Sequence, residues 1–243
     1  MSSRMAAASR ASLCAFFLCL ALPVEARTGQ AVVRLTTHEL PPYSYRDTTQ
    51  QRLAGIAVEA VDCVMRRMGQ PFEVQVLPWA RAQKMVQLGE ADGFFAASRN
   101  SERDGYAVKS AIIAPQQWRW YLLVGNPADP LSPAFRETAQ VGSFVGANML
   151  DWLREHGYRA VATPPTTEGL LKMLRAGRVD AILANNLVME RLIQEQGLGG
   201  QLRSVLQEDR PLGVYFSKPF LALHPGFLER FNAQVGACRS TAR

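Results

Sequence analysis

Histidine is scarce in this chain of 243 residues, with three in all, and lysine supplies only four of the 27 basic residues (Lys84, Lys109, Lys172 and Lys218). His38, His156 and His224 lie far apart and lack metal-ligand spacing, so each reads as a surface residue and no metal is expected. Sequence signatures of catalysis are missing too. There is no G-x-S-x-G nucleophile elbow, no G-x-x-x-x-G-K-[ST] phosphate loop and no dinucleotide fingerprint, so no cofactor is expected. Gly142-Ser143-Phe144-Val145-Gly146 has two glycines but no lysine to hold a triphosphate. The formal charge of +6 is scattered singly, Arg66-Arg67 being the closest pair. Without a basic stripe, nucleic acid is not an expected partner. A chain 48% hydrophobic and 20% charged is globular, not disordered, collagen-like or coiled-coil.

Long apolar runs are also rare, and the longest is at the start. Arg4 and Arg10 precede Leu13 to Val24 (LCAFFLCLALPV), and Val24-Glu25-Ala26 supplies small residues at both ends of a cleavage site. That is the pattern of a cleavable signal peptide, residues 1–26. Its apolar run makes about 18 Å of helix, short of a ~30 Å hydrocarbon core, so export to the periplasm is expected rather than anchoring. Cys14 and Cys19 would leave with it. Cys63 and Cys238 would remain in an oxidising compartment, where they form either a disulfide or two separate thiols. Neither has a C-x-x-C partner or a neighbouring histidine, which argues against redox or zinc chemistry.

The rest of the chain alternates. Ala31 to Thr36 reads as a strand, and Ala57, Ala60, Val61, Val64, Met65 and Met68 recur at helical spacing up to Gly69. Pro71 to Leu77 is a strand, Trp79 to Leu88 a helix and Ala91 to Ala96 a buried strand. Alternation of this kind implies right-handed crossovers and a largely parallel sheet. A second series follows, with strands near 119–124, 140–145, 158–162 and 179–184 and helices near 147–156, 167–176 and 186–196. Later come strands at Leu202 to Leu206 and Leu212 to Phe216 and a helix at Pro225 to Val235. Gly89-Glu90-Ala91-Asp92-Gly93-Phe94-Phe95-Ala96 and Gly177-Arg178-Val179-Asp180-Ala181-Ile182-Leu183-Ala184 share one signature: helix-stop glycine, two residues, aspartate, apolar strand. Either αβ joints coincide by chance or the chain holds two related lobes.

Four places suit recognition of a small polar molecule. Glu39-Leu40-Pro41-Pro42-Tyr43-Ser44-Tyr45 follows the first strand, and in open α/β sheets ligands bind beyond the carboxyl ends of strands. Trp79 opens a helix after a strand and could present its ring. Ser98-Arg99-Asn100-Ser101-Glu102-Arg103 follows another strand, and Arg103 has the fork geometry for a carboxylate. Gly146-Ala147-Asn148 opens a helix whose free N–H groups suit an anion, and Asn185-Asn186 follows the strand ending at Ala184.

Taken in order, ELPPYSY, GIAVEAVDCVMRRMG, LPWARAQKMVQLGEADG, Ser98 to Arg103, VGSFVGANMLDWL and LRAGRVDAILANN resemble the family 3 periplasmic solute-binding proteins, best known as polar amino-acid receptors of ABC importers. The resemblance covers roughly residues 31–237. It implies an α/β, two-lobed periplasmic binding-protein fold, each lobe a mixed, mostly parallel sheet flanked by helices, joined by two hinge strands near Gln116–Trp120 and Gln207–Arg210. It places residues 27–117 and 208–243 in one lobe and 118–207 in the other. It also implies roles. Tyr43 or Trp79 is the aromatic shelf, Ser98 a hydroxyl for the ligand carboxylate, Arg103 its clamp, and the N–H groups of Ala147 and Asn148 a second contact. Asn185 departs from the family, whose amino-acid receptors usually carry an aspartate there for the ligand ammonium. Either Glu39 supplies that charge or the ligand has no ammonium. Ala96 and Ala147 replace hydroxyls as well.

The reading that follows is a monomeric, non-enzymatic receptor for a small carboxylate, with an ABC permease in the inner membrane as possible partner. Two others stay open. The fold also resembles cyclohexadienyl dehydratase, which needs a buried acid, here Glu39. A degenerate receptor serving as a partner-binding module is the third.

Overall fold

The computed structural model describes Met1 and residues 31–239, and the account below concerns the compact unit that begins at Ala31. The signal-peptide and cleavage-site expectations lie outside the described residues.

The chain opens with β1 (Val33–Thr37), a ribbon of β2 (Tyr45–Asp47) and β3 (Arg52–Ala54), then α1 (Ile56–Arg67), β4 (Phe72–Val76), α2 (Trp79–Gln87), β5 (Gly93–Ala97), α3 (Ser101–Tyr106) and β6 (Ala107–Lys109). The second series is β7 (Gln117–Leu123), α4 (Pro133–Thr138), β8 (Gln140–Gly142), α5 (Asn148–Glu155), β9 (Arg159–Ala162), α6 (Thr167–Arg175), β10 (Ala181–Asn185), α7 (Asn186–Glu195) and β11 (Leu202–Asp209). The chain then returns through β12 (Gly213–Ser217), α8 (Lys218–Leu223) and α9 (Phe227–Cys238).

Two five-stranded sheets result, ordered β4-β1-β5-β12-β6 and β11-β7-β10-β8-β9. This is the two-lobed architecture of periplasmic binding proteins. Both sheets are mixed. The βαβ units pair in parallel, whereas β7, β11 and β12, the strands flanking the passages between sheets, pair antiparallel, as does β6. The antiparallel share is therefore larger than strand–helix alternation alone implies. The passages run side by side: Ala114 bridges Leu212, and the Arg210 N–H donates to the Gln116 carbonyl at 2.9 Å.

The repeated signature does the same structural work in each lobe. The Asp92 carboxylate accepts from the Arg34 N–H of β1 at 2.8 Å, and Asp180 accepts from the Gln140 N–H of β8 at 2.7 Å. Each aspartate satisfies an N–H at or near the start of the neighbouring parallel strand, a donor that would otherwise lack an acceptor.

Helix α1 buries Ala57, Ala60, Val61, Val64 and Met65, the stripe its spacing predicts, against the core that also holds Phe216, Phe227 and Phe231. Cys63 lies off that stripe and bonds Cys238 at the end of α9, a disulfide between residues 175 apart in sequence. Closing so long a loop stabilises the fold by roughly 5 kcal/mol in the chain-entropy model. Gly55 enters α1 at φ 120°, where a Cβ would sit 2.6 Å from the Tyr43 carbonyl; only glycine fits.

Candidate functional site

The carboxyl ends of β1, β4, β5, β8 and β10 all lead towards one gap between the two sheets. The gap is narrow, with a cavity of about 20 Å³. Into it reach His38 after β1, Trp79 after β4, Ser98 after β5, Ala147 and Asn148 after β8, and Asn185 at the end of β10.

Arg103 is the centre of the site. Asn100 caps α3, its Oδ1 accepting from the Arg103 N–H at 3.1 Å, and this turn aims the guanidinium inward. The residue is only 4% exposed. Nε donates to Gln83 Oε1 at 2.7 Å and Nη1 to the Ser98 carbonyl at 3.1 Å. Its Cζ lies 5.0 Å from the centroid of Trp79 and 5.9 Å from that of Phe94, distances at which ring faces attract a cation. Both hydrogen-bond partners are neutral, and among the described residues no carboxylate forms an ion pair with it. Burial accordingly pulls its pKa down to about 10, although it stays charged at neutral pH.

His38 stacks on Trp79 with centroids 4.2 Å apart. It is buried, which corrects the expectation of a surface histidine. Burial first, and the Arg103 charge second, push its pKa down to about 3, so the imidazole is neutral. Neither ring nitrogen has a hydrogen-bond partner, and the buried Asn185 Oδ1 has none either. Ala96, lining the same gap, holds φ at +61°, a conformation rare for a residue with a Cβ. Non-glycine residues held this way cost about 1–3 kcal/mol and concentrate at functional sites.

The lobes meet at Asn148, the first residue of α5. Its Nδ2 lies 3.0 Å from Ser98 Oγ and 3.1 Å from the Arg99 carbonyl, and its Oδ1 accepts from Asn100 Nδ2 at 3.2 Å. The backbone N–H of Ala147 is turned to the Phe144 carbonyl at 3.3 Å. Beside them Gln116 and Trp118 form the wall nearest the passages, with Trp118 Nε1 donating to Gln116 Oε1 at 3.2 Å and the Arg210 guanidinium 4.6 Å from the Trp118 ring.

Of the residues singled out from sequence, Trp79, Ser98, Arg103, Ala147, Asn148 and Asn185 come together here. Glu39 and Tyr43 do not. Glu39 is exposed and accepts from the Arg46 N–H at 3.2 Å, and Tyr43 is wholly buried in the first core, its hydroxyl donating to the Pro115 carbonyl at 3.0 Å. Strand parity explains the first. Thr36 of β1 faces α2, donating to the Ala82 carbonyl at 2.9 Å, and two residues on His38 meets Trp79 on that face; Glu39, one step out of phase, turns away. The same parity rule was the signal that could have found His38. Gln83, Gln116 and Trp118 carried no comparable signal.

Residues 32–115 match the model of the bacterial extracellular solute-binding proteins, family 3, so that stretch carries the family's sequence pattern. No curated protein sequence is significantly similar to the chain. Among solved structures, a histidine kinase sensor domain with similarity to periplasmic binding proteins superposes with a TM-score of 0.75 at 19% identity, covering 86% of this chain and 91% of that one. The arginine-, lysine-, histidine-binding protein of Geobacillus stearothermophilus gives 0.71 at 16%, with 85% and 89% covered. The glutamate-bound GluR0 ligand-binding core from Nostoc punctiforme gives 0.70 at 16%, with 84% and 92% covered. At such identities these likenesses establish the fold. No helix among the described residues is long and apolar enough to cross a membrane.

Proposed function

We propose that the protein is an extracytoplasmic solute-binding protein whose lobes, residues 27–117 with 208–243 and residues 118–207, close on a small carboxylate for ABC-type import or for sensing. One observation carries this reading: a buried guanidinium in the gap between the sheets, held by two neutral acceptors and two aromatic faces and paired with no carboxylate of the described chain. An uncompensated buried cation is costly unless its task is to receive an anion. Arg103 clamps the carboxylate, Ser98 and the N–H of Asn148 complete its shell, and Trp79 is the shelf. Contacts from both lobes convert binding into closure.

The dehydratase reading loses its acid, because Glu39 is exposed outside the gap. The partner-module reading has one observation in its favour, the polar contacts that Asn148 already makes across the lobes. A thermal-shift panel of carboxylates, amino acids and amines separates the two. A ligand at 100 times its Kd adds ~2.7 kcal/mol to stability. Stabilisation by a carboxylate, lost in Arg103→Ala, supports the receptor; a panel without response overturns it and favours the module.

A further inference from the structure

The residues lining the gap define the ligand's charge as well as its carboxylate. We propose that the ligand is a small carboxylate without an ammonium group, a 2-hydroxy acid in preference to the 2-amino acid with the same side chain. This rests on the receptor reading above and specifies its substrate class.

Among the described residues that line the gap, Arg103 is charged and no aspartate or glutamate is present. A carboxylate bound to Arg103 leaves the site neutral. A zwitterionic amino acid would bring a second buried cation within a few ångströms of the first, with no carboxylate to receive it. The acids whose fields reach Arg103, Asp151 and Glu102, are exposed, and Asp151 already faces Arg154 at 3.9 Å. Glu39 is turned outward and bonded to a backbone N–H.

The unpartnered polar atoms of the residues lining the gap are those of neutral groups. His38 leaves both ring nitrogens free, and a neutral imidazole offers one donor and one acceptor. Asn185 Oδ1 offers an acceptor across the gap. A hydroxyl both donates and accepts, so it suits the imidazole in either tautomer and the Asn185 amide. An ammonium only donates, and it adds the charge that the site cannot balance. Leu40, Ala96, Phe144 and Leu212 make the remaining walls apolar. The ligand's body is therefore hydrocarbon where it meets these walls.

The test pairs isosteric probes on the folded, mature protein by calorimetric titration: lactate with alanine, 2-hydroxyisocaproate with leucine, 3-phenyllactate with phenylalanine. At least one hydroxy acid is expected to bind more tightly than its amino partner by on the order of 100-fold, the scale of an unpaired buried charge. In Asn185→Asp, whose fold is checked by circular dichroism, the new carboxylate should erase or reverse that preference, while Asn185→Ala keeps it. An amino acid that binds equally well or better in the unchanged protein, with dependence on Arg103, overturns this inference and leaves the receptor reading standing. A preference for the hydroxy acid that Asn185→Asp does not reduce overturns the charge argument. Silence from both series overturns the assigned ligand class, and silence from every carboxylate in the wider panel removes the receptor reading with it.

Discussion

Replacing Arg103 with methionine should uncouple binding from stability. The folded protein holds the guanidinium charge against a pKa that burial pulls down to about 10 from its ordinary value, a differential worth about 3 kcal/mol against the charged form. The group is almost completely buried, so solvent screening takes little off that figure. Methionine fills a similar volume without the charge, which recovers most of this cost. Against it stand the hydrogen bonds to Gln83 and the Ser98 carbonyl, about 1–2 kcal/mol each, and the two cation–π contacts, about 1 kcal/mol each. The losses outweigh the recovery by about 1–3 kcal/mol, so Arg103→Met is expected to unfold in urea at a stability lower by no more than about 3 kcal/mol. Unfolding should be followed by circular dichroism, because Trp79 fluorescence responds to the substitution itself. In the same variant, stabilisation by any carboxylate ligand should vanish. Loss of more than about 3 kcal/mol would show that Arg103 is a strut of the fold. Retained ligand stabilisation would show that the anion binds elsewhere. Either result refutes the reasoning.

Three further outcomes follow from the same structure. His38 has its pKa depressed from 6.5 to about 3, so the unfolded chain takes up a proton that the folded one refuses as pH falls below 6.5. Its contribution is complete above about pH 6.5 and is lost at about 1.4 kcal/mol per pH unit between there and pH 3; urea titrations across that range should show this slope reduced in His38→Phe. Reducing the Cys63–Cys238 bridge, or replacing both cysteines with serine, should cost up to roughly 5 kcal/mol by the loop-closure argument, read as a lowered urea midpoint. Asn148→Ala removes side-chain contacts across the lobes, and small-angle scattering should report a larger radius of gyration, while an unchanged radius would show that packing alone holds the lobes together.

Most of the fold was legible because its helices carry a clear apolar stripe and its strands are bounded by glycines. The elements that escaped are short and lack periodicity. Helix α3 reads SERDGY and is set by the Asn100 cap, α4 and α8 carry a proline in the first turn, and β6 is three residues at a sheet edge. In the site, Trp79, Ser98, Arg103, Ala147, Asn148 and Asn185 could be found from their place after strands. Glu39 and Tyr43 drew attention through charge and ring, which say nothing about facing. His38 lacks metal-ligand spacing, and only its parity with Thr36 marks it for the face of α2. Gln83 and Gln116 are polar residues whose roles depend on tertiary neighbours, and no local pattern marks them.

The most direct measurement is the NMR signal of the arginine side chains in protein labelled with 15N-arginine, recorded while a bound carboxylate is titrated in. The Arg103 Nε–Hε resonance, assigned by its loss in Arg103→Met, should shift on saturation and exchange more slowly with water. Binding that leaves that resonance where it was would contradict the account.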